Sequence, residues 1–293
     1  MKTLLMWGAL LLLWLGQAQA CDVCGCSSAG NTLGVLPMYH THFAGLRWQS
    51  LSYRYRGYET LDQFQQIEAW GRWYPHPRVQ LMAALPYRYL ARQAATNAGD
   101  LQGIGDLSVL LSYSLIRTPD SSLRRWHHHL LVGGGVELPT GRFRPPGETG
   151  MPAQFQLGSG STDLLGLLLY QLRRERWGLH LQVSGRWNGT NAEAYRFGDQ
   201  LQGMAYAFYW QRRGAFSLMP YAGLAGDVIA RDVSRGIFQA ESGGRGLHAL
   251  AGLESSRGRL IMGGQAQLPL WQHYAEGAVI SGPRASIYLH VLI

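Results

Sequence analysis

Apolar and polar side chains alternate at every second position along much of this chain, a period that predicts β-strands with one apolar and one polar face. The segment 177–188 shows the alternation most clearly. Its apolar face is formed by Trp177, Leu179, Leu181, Val183, Gly185 and Trp187, and its polar face by Gly178, His180, Gln182, Ser184, Arg186 and Asn188. Aromatic residues at both ends of the apolar face are typical of strands that cross a membrane, where aromatics collect at the two interfaces.

Twelve segments of this kind are predicted as strands. They are 43–56, 64–74, 78–90, 104–117, 126–138, 162–173, 176–188, 200–211, 214–226, 245–255, 259–270 and 282–293. Three of them, 162–173, 200–211 and 214–226, alternate poorly and are assigned mainly from their position along the chain.

The connections between these segments supply a second pattern. They are short after even-numbered segments, as at 174–175 and 256–258, and long after the later odd-numbered segments, as at 139–161 and 227–244. The exceptions are the longer connection at 118–125 and the short first outer loop. Outer-membrane barrels with both termini in the periplasm have short periplasmic turns and longer outer loops. A soluble β-sandwich also alternates apolar and polar faces, but it does not explain the loop lengths. The sequence therefore predicts an all-β protein: a transmembrane, antiparallel, up-and-down β-barrel of about twelve strands in a Gram-negative outer membrane.

Composition strengthens this interpretation. Charged residues make up 15% of the chain, whereas soluble globular proteins contain roughly 25%. Aromatic residues make up 11%, and the formal charge of +8 rests on arginine, because Lys2 is the only lysine. Arginine suits phosphates and carboxylates, which makes outer-membrane lipid, lipopolysaccharide and anionic solutes candidate partners. The competing interpretation, which we favour, is that a GC-rich genome explains the arginine content. No basic tract or recognition motif indicates nucleic acid as a partner.

The first residues have the features of a secretory signal. Lys2 is followed by an apolar stretch over 4–15, and Ala18 and Ala20 form an A-x-A cleavage site. Cleavage there makes Cys21 the first mature residue. We therefore predict a signal peptide over 1–20, a Cys-rich periplasmic segment over 21–42 and the barrel over 43–293.

Four short motifs lie beside the predicted loops: GIGDL at 103–107, ELPTG at 137–141, QLGSGSTD at 156–163 and YRFGD at 195–199. In this order they resemble the meta-pathway phenol-degradation type of outer-membrane transporter proteins, over about residues 35–293. The opening CDVCGC is similar to a subset of these barrels with a Cys-rich mature N-terminus. The resemblance implies a transporter. The turn-forming residues of the motifs themselves predict that an outer loop folds inward or caps the barrel mouth.

Cys21, Cys24 and Cys26 form a candidate metal site. Their C-x-x-C-x-C spacing brings three sulfurs into one short loop, which suits a soft ion such as copper(I) or zinc. His40 and His42 alternate on an extended segment and are candidate nitrogen ligands. A disulfide, expected in the oxidising periplasm, and a lipid on Cys21 are the alternatives.

Three consecutive histidines, His127 to His129, form a second candidate. Neighbouring residues of a strand point to opposite faces, so only His127 and His129 can share a weak metal site. The competing interpretation is a polar interface at the start of a strand.

Charged and histidine residues on the polar faces are predicted to line the barrel lumen. They are Arg54, Glu68, Arg72, Arg88, Asp106, Glu137, His180, Arg186, His248, Glu254, Arg284 and His290. Their mixed signs predict an ion-paired or weakly selective interior. No Ser–His–acid spacing or paired-carboxylate motif is evident, so we expect no enzymatic activity.

The sequence thus predicts a channel or transporter-like barrel for the passive passage of a small solute, with a candidate soft-metal site at its N-terminus. The alternative is a non-transporting metal-binding or assembly protein anchored by the barrel. A periplasmic metal-handling protein is a candidate partner, and an outer-membrane enzyme is the third hypothesis.

Overall fold

Twelve antiparallel strands form the wall of one closed barrel in the computed structural model, which describes residues 41–57, 59–94, 98–119, 125–144 and 155–293. The barrel closes because the first strand pairs with the second along one edge and with the last along the other. Each predicted segment overlaps one of these strands, and the predicted fold class is confirmed. Labelled β1 to β12 in chain order, they are Phe43–Tyr55, Leu61–His76, Val79–Gln93, Leu107–Arg117, Trp126–Leu138, Asp163–Arg174, Trp177–Trp187, Gln200–Tyr209, Phe216–Ile229, Gly244–Arg257, Leu260–Tyr274 and Arg284–Leu292.

The two ends of the barrel differ. Phe43 and Leu292, the first and last strand residues, lie at what we term the turn end, where short connections join the strands. The opposite, loop end carries additional short strands. They are Gly99–Ile104 beside β3, Val279–Ser281 beside β1, and a separate sheet of Tyr195–Arg196, Val233–Ser234 and Ile237–Phe238. At the turn end, Gln211–Arg213 pairs with the start of β9. The described residues contain no helix that is long and apolar enough to cross a membrane.

The outer surface of the barrel is apolar. Large side chains that are more than half exposed include Leu46, Leu111, Leu164, Leu201, Leu268 and Ile287. They lie on different strands around the wall, so they form a belt instead of one patch. Such a belt is unfavourable in water and favourable in the hydrocarbon of a bilayer, where a closed barrel also satisfies its own backbone hydrogen bonds. This surface is that of a transmembrane barrel.

Inward-facing glycines make room for aromatic rings from the neighbouring strand. Gly263 is paired with Tyr288, and Gly252 is paired with Tyr221. A Cβ added to either glycine would overlap the paired ring. The barrel interior is therefore packed by a ring on one strand lying across bare backbone on the next.

We expect Gly263→Ala to destabilise the barrel by about 1–3 kcal/mol, because overpacking of a filled interior has a penalty of that size. The matched control is Gly264→Ala, because a Cβ there points outward and meets only ordinary contacts. Urea unfolding of the refolded protein in lipid or detergent measures the difference. Equal stability of the two variants would show that the Tyr288 ring moves aside without penalty.

Candidate functional site in the barrel lumen

Acidic and basic side chains are paired inside the barrel. Arg47 Nη2 lies 2.6 Å from Glu68 Oε1 between β1 and β2. Arg186 Nη1 lies 2.7 Å from Glu137 Oε2, which joins β7 to β5 across the intervening strand. Each of these carboxylates is nearly fully buried, so the pairing offsets the desolvation of both charges.

A further cluster joins three strands near the loop end. Arg284 Nη1 lies 3.0 Å from Asp227 Oδ1, and the Tyr274 hydroxyl donates to Asp227 Oδ2 at 2.6 Å. Arg284 Nη2 also donates to the Tyr274 oxygen at 3.1 Å. Both oxygens of the carboxylate thus accept hydrogen bonds, and the charge of Asp227 is balanced locally.

Asp62 is a fully enclosed carboxylate of the loop end, with no exposed side-chain surface. Arg92 donates to it through both Nε and Nη2, at 2.7 and 3.0 Å. The Tyr55 hydroxyl donates to the same carboxylate at 2.7 Å. This bidentate contact between β2 and β3 is the strong form of an arginine–carboxylate pair.

A cavity lies within the lumen between these ion pairs. Its empty space is about 640 Å³, including the part that is open. Half of the lining residues carry an uncharged amide or hydroxyl group, and the Arg284–Asp227 pair lies at one side. Its amide and hydroxyl side chains include Gln49, Gln182, Gln202, Gln265, Gln267, Ser184 and Ser286. Amides and hydroxyls from five strands therefore converge on one space that carries no net charge.

The segment 155–161, which leads into β6, folds into the barrel mouth. Phe155 has no exposed surface and lies edge-to-face on Phe64, with ring centroids 5.7 Å apart. It belongs to an apolar cluster that includes Leu90 and Tyr274. The predicted inward folding of an outer loop agrees with this arrangement, and the loop narrows the mouth.

Asp106 holds this segment in place. It lies between the short strand Gly99–Ile104 and β4, outside the strands. Its Oδ1 accepts the backbone N–H of Gly141 at 2.8 Å, and its Oδ2 accepts that of Ser159 at 2.6 Å. Burial raises the pKa of Asp106, an effect opposed by these two N–H groups and by Arg88. Arg88 adds a second tether, since its Nη1 donates to the Leu157 carbonyl at 2.7 Å.

Buried rings fill the lumen towards the turn end. His290 is stacked on Tyr288 with centroids 4.8 Å apart, and it also contacts Phe43 and Trp70. The Tyr288 hydroxyl donates to Glu254 at 2.8 Å. These rings therefore occupy part of the lumen towards the turn end.

The predicted lumen residues lie as follows. Those that are buried inside the barrel are Glu68, Arg72, Arg88, Asp106, Glu137, His180, His248, Glu254 and His290, and Arg186 and Arg284 are partly buried. Arg54 was assigned to the wrong face: it is exposed and alternates with the buried Tyr53 and Tyr55. On β1 both faces mix polar and apolar residues, so composition alone did not distinguish inside from outside.

Further charged lumen residues were not predicted, and they include Arg47, Asp62, Arg92, Asp163 and Asp227. Asp62, Arg92 and Asp227 lie one or two residues beyond the predicted ends of their strands, although extending the alternation would have included them. Arg47 shares the true inward face of β1, so it was missed for the same reason that Arg54 was misplaced.

The histidine run divides between the faces as its alternation predicts. His129 Nε2 lies 3.2 Å from the Ser114 hydroxyl in the lumen, and His128 Nδ1 lies 2.8 Å from the Tyr170 hydroxyl on the other face. Within the described residues, no group of three or more His, Cys, Asp or Glu side chains is placed to hold a metal ion.

The candidate cysteine site lies almost entirely outside the described residues. Cys21, Cys24, Cys26 and His40 are not among them. His42 is, and its Nδ1 accepts the backbone N–H of Tyr74 at 3.1 Å. The cysteine site therefore stays a prediction.

Solved structures of the same architecture are bacterial membrane barrels. An outer membrane channel from Pseudomonas putida F1 is 14% identical and matches with a TM-score of 0.65 over 86% of this chain and 96% of that one. The β domain of the Bordetella autotransporter BrkA is 11% identical and matches with a TM-score of 0.55 over 86% of this chain and all of that one. These likenesses show the fold. No protein-family model and no curated protein matches the sequence.

Proposed function

We propose that the protein is an outer-membrane channel for the passive passage of small polar solutes. The observation that carries this proposal is the glutamine- and serine-lined cavity inside a barrel whose outer wall is apolar. Neutral amides both donate and accept hydrogen bonds, so they can replace the hydration of an uncharged solute without the penalty of burying a charge. The lumen charges are largely paired, which favours weak ion selectivity.

The proposed orientation places the turn end, with both strand termini, in the periplasm and the loop end outside. Short turns at one end and longer loops at the other support it. The channel from Pseudomonas putida, which has the same fold, supports the outer membrane as the compartment. The resemblance of the loop motifs to phenol-degradation transporters is in keeping with a transport role, and lipopolysaccharide remains a proposed partner of the outer face.

Planar-bilayer recording tests this function. We expect the refolded wild type to give discrete channel events with a reversal potential near zero in a KCl gradient, because its lumen charges are balanced. Arg284→Gln leaves Asp227 without its arginine and should shift the reversal potential towards cation selectivity. Arg235→Gln, an exposed change in the loop-end hairpin, is the matched control and should leave it unchanged. Correctly refolded protein that gives no events would contradict a channel.

A second candidate is a metal-binding or assembly protein anchored by a closed barrel. The buried rings at the turn end favour it, because they occupy lumen space on the periplasmic side of the proposed orientation. In that case Cys21, Cys24 and Cys26, with His40 and His42, would carry the function by holding copper or zinc, and a periplasmic metal-handling protein would be the partner. Copper bound to purified protein and lost in Cys24→Ser, with no channel events, would favour this candidate over the channel.

A further inference from the structure

Arginine is concentrated at the turn end of the barrel. The described turn-end residues include ten arginines, all exposed except the half-buried Arg173, and one exposed acidic side chain, Glu175. The arginines are Arg78, Arg117, Arg125, Arg173, Arg174, Arg176, Arg212, Arg213, Arg257 and Arg259. A surface with this excess of one sign attracts anions over a distance of about 8–10 Å at physiological salt.

The loop end has seven exposed arginines among its described residues, but its excess of positive charge is smaller. It also carries exposed acidic side chains, which include Glu59, Asp100, Glu193 and Glu276. One of them, Glu276, is paired with Arg231. The excess of positive charge is therefore larger at the turn end than at the loop end.

Part of the turn end is ordered into a row of outward-facing residues. Trp126, Arg174, Trp177 and Tyr209 occupy paired positions on the four adjacent strands β5 to β8. The Arg174 guanidinium lies 5.3 Å from the centre of a Trp126 ring, and the rings of Trp177 and Tyr209 are 4.9 Å apart. Arg176 donates to the Tyr209 hydroxyl at 3.2 Å. We call these five residues the arginine–aromatic row.

The position of this row indicates its ligand. Outward-facing tryptophan and tyrosine at the edge of an apolar belt lie at the level of lipid headgroups. A guanidinium held there by an aromatic ring keeps its remaining N–H groups for the planar, multidentate recognition of phosphate oxygens. Because the ring is already in contact with it, less side-chain entropy is lost when a phosphate binds.

We propose that the arginine–aromatic row binds the phosphate of anionic phospholipid headgroups in the leaflet that the turn end faces. The site is distinct from the lumen and does not depend on solute passage. The surrounding turn-end arginines concentrate anionic lipid near the row, while Arg174 and Arg176 make the direct contacts.

Lipid titration of the refolded, detergent-solubilised full barrel tests the proposal, with phosphatidylglycerol, phosphatidylcholine and lipopolysaccharide as separate probes followed by native mass spectrometry. Phosphatidylglycerol should bind at least tenfold more tightly than phosphatidylcholine. In the double variant R174Q/R176Q, the affinity for phosphatidylglycerol should fall by about fivefold for each arginine removed. The matched control, R54Q/R56Q, removes two exposed arginines at the loop end. It should change the affinity for phosphatidylglycerol by less than twofold.

Heat-dependent migration on gels verifies that each variant has refolded, so a folding defect is separated from a lost site. Equal affinity for the two phospholipids would overturn the proposal, as would an equal loss in both double variants. The proposal would also be overturned if lipopolysaccharide bound more tightly than phosphatidylglycerol and this binding were lost in R174Q/R176Q, because the row would then belong to the outer leaflet. The bilayer conductance should be unchanged in R174Q/R176Q, since neither side chain faces the lumen.

Discussion

Replacing Asp106 with alanine is expected to release the segment 155–161 from the barrel mouth and to raise the single-channel conductance. The carboxylate holds this loop through the N–H groups of Gly141 and Ser159. Alanine removes both acceptors. Hydrogen bonds to charged groups contribute about 1.5–3 kcal/mol each, so the docked loop would lose about 3 kcal/mol or more. That loss is large enough to convert a mostly docked loop into a mostly undocked one.

Limited proteolysis in intact vesicles measures loop release directly, without relying on conduction. Faster cleavage within the loop is expected for Asp106→Ala. The control is Asp100→Ala, because Asp100 lies nearby on an exposed strand where it accepts a hydrogen bond from Tyr89. Protease resistance equal to that of the wild type, together with unchanged conductance, would show that Arg88 and the burial of Phe155 hold the loop without Asp106.

The second large effect is expected from Asp62→Asn, which should destabilise the barrel by about 3–5 kcal/mol. The change is nearly isosteric but removes the negative charge that both Nε and Nη2 of Arg92 contact. Breaking a buried ion pair from one side leaves a buried charge without its counter-charge, which has a penalty of that size. Denaturant unfolding and refolding in lipid vesicles provides the free energy of unfolding.

Glu276→Gln is the control for Asp62→Asn, because it breaks the largely exposed pair between Glu276 and Arg231. An exposed pair contributes about 0–1 kcal/mol, so this variant should unfold like the wild type. The double variant D62L/R92M removes both charges of the buried pair and should recover much of the stability lost in Asp62→Asn. Similar unfolding of the Asp62 and Glu276 variants would mean that water reaches Arg92 and screens it.

The strands were predictable because a barrel repeats one local rule along the whole chain. Each residue of β7 faces either lipid or the lumen, so its alternation appears directly in the sequence. The rule weakens on β1, where Tyr53 and Tyr55 turn inward and Arg54 turns outward. Tyrosine suits either face, since it carries an apolar ring and a polar hydroxyl. The residue types on β1 alone therefore did not show which side chains point into the lumen.

The lumen was predictable only as a set of inward positions. Which charges meet depends on the register and on how far around the wall the strands lie. Arg186 and Glu137 are on strands separated by another strand, and Arg284 meets Asp227 across a sequence separation of 57 residues. Nothing in the local pattern specifies these partners, because they are set when the barrel closes.

The sequence by itself determined the twelve strands, the apolar outer face and the alternation of short and long connections, because these follow from local periodicity and turn chemistry. The tertiary structure decided the pairing of the lumen charges, the cavity lined by glutamines and the docking of Phe155 in the mouth. It also brought Trp126, Arg174, Trp177 and Tyr209 into one row. Each of these depends on contacts between strands, whose register is set by the closed hydrogen-bonded ladder and not by any segment alone.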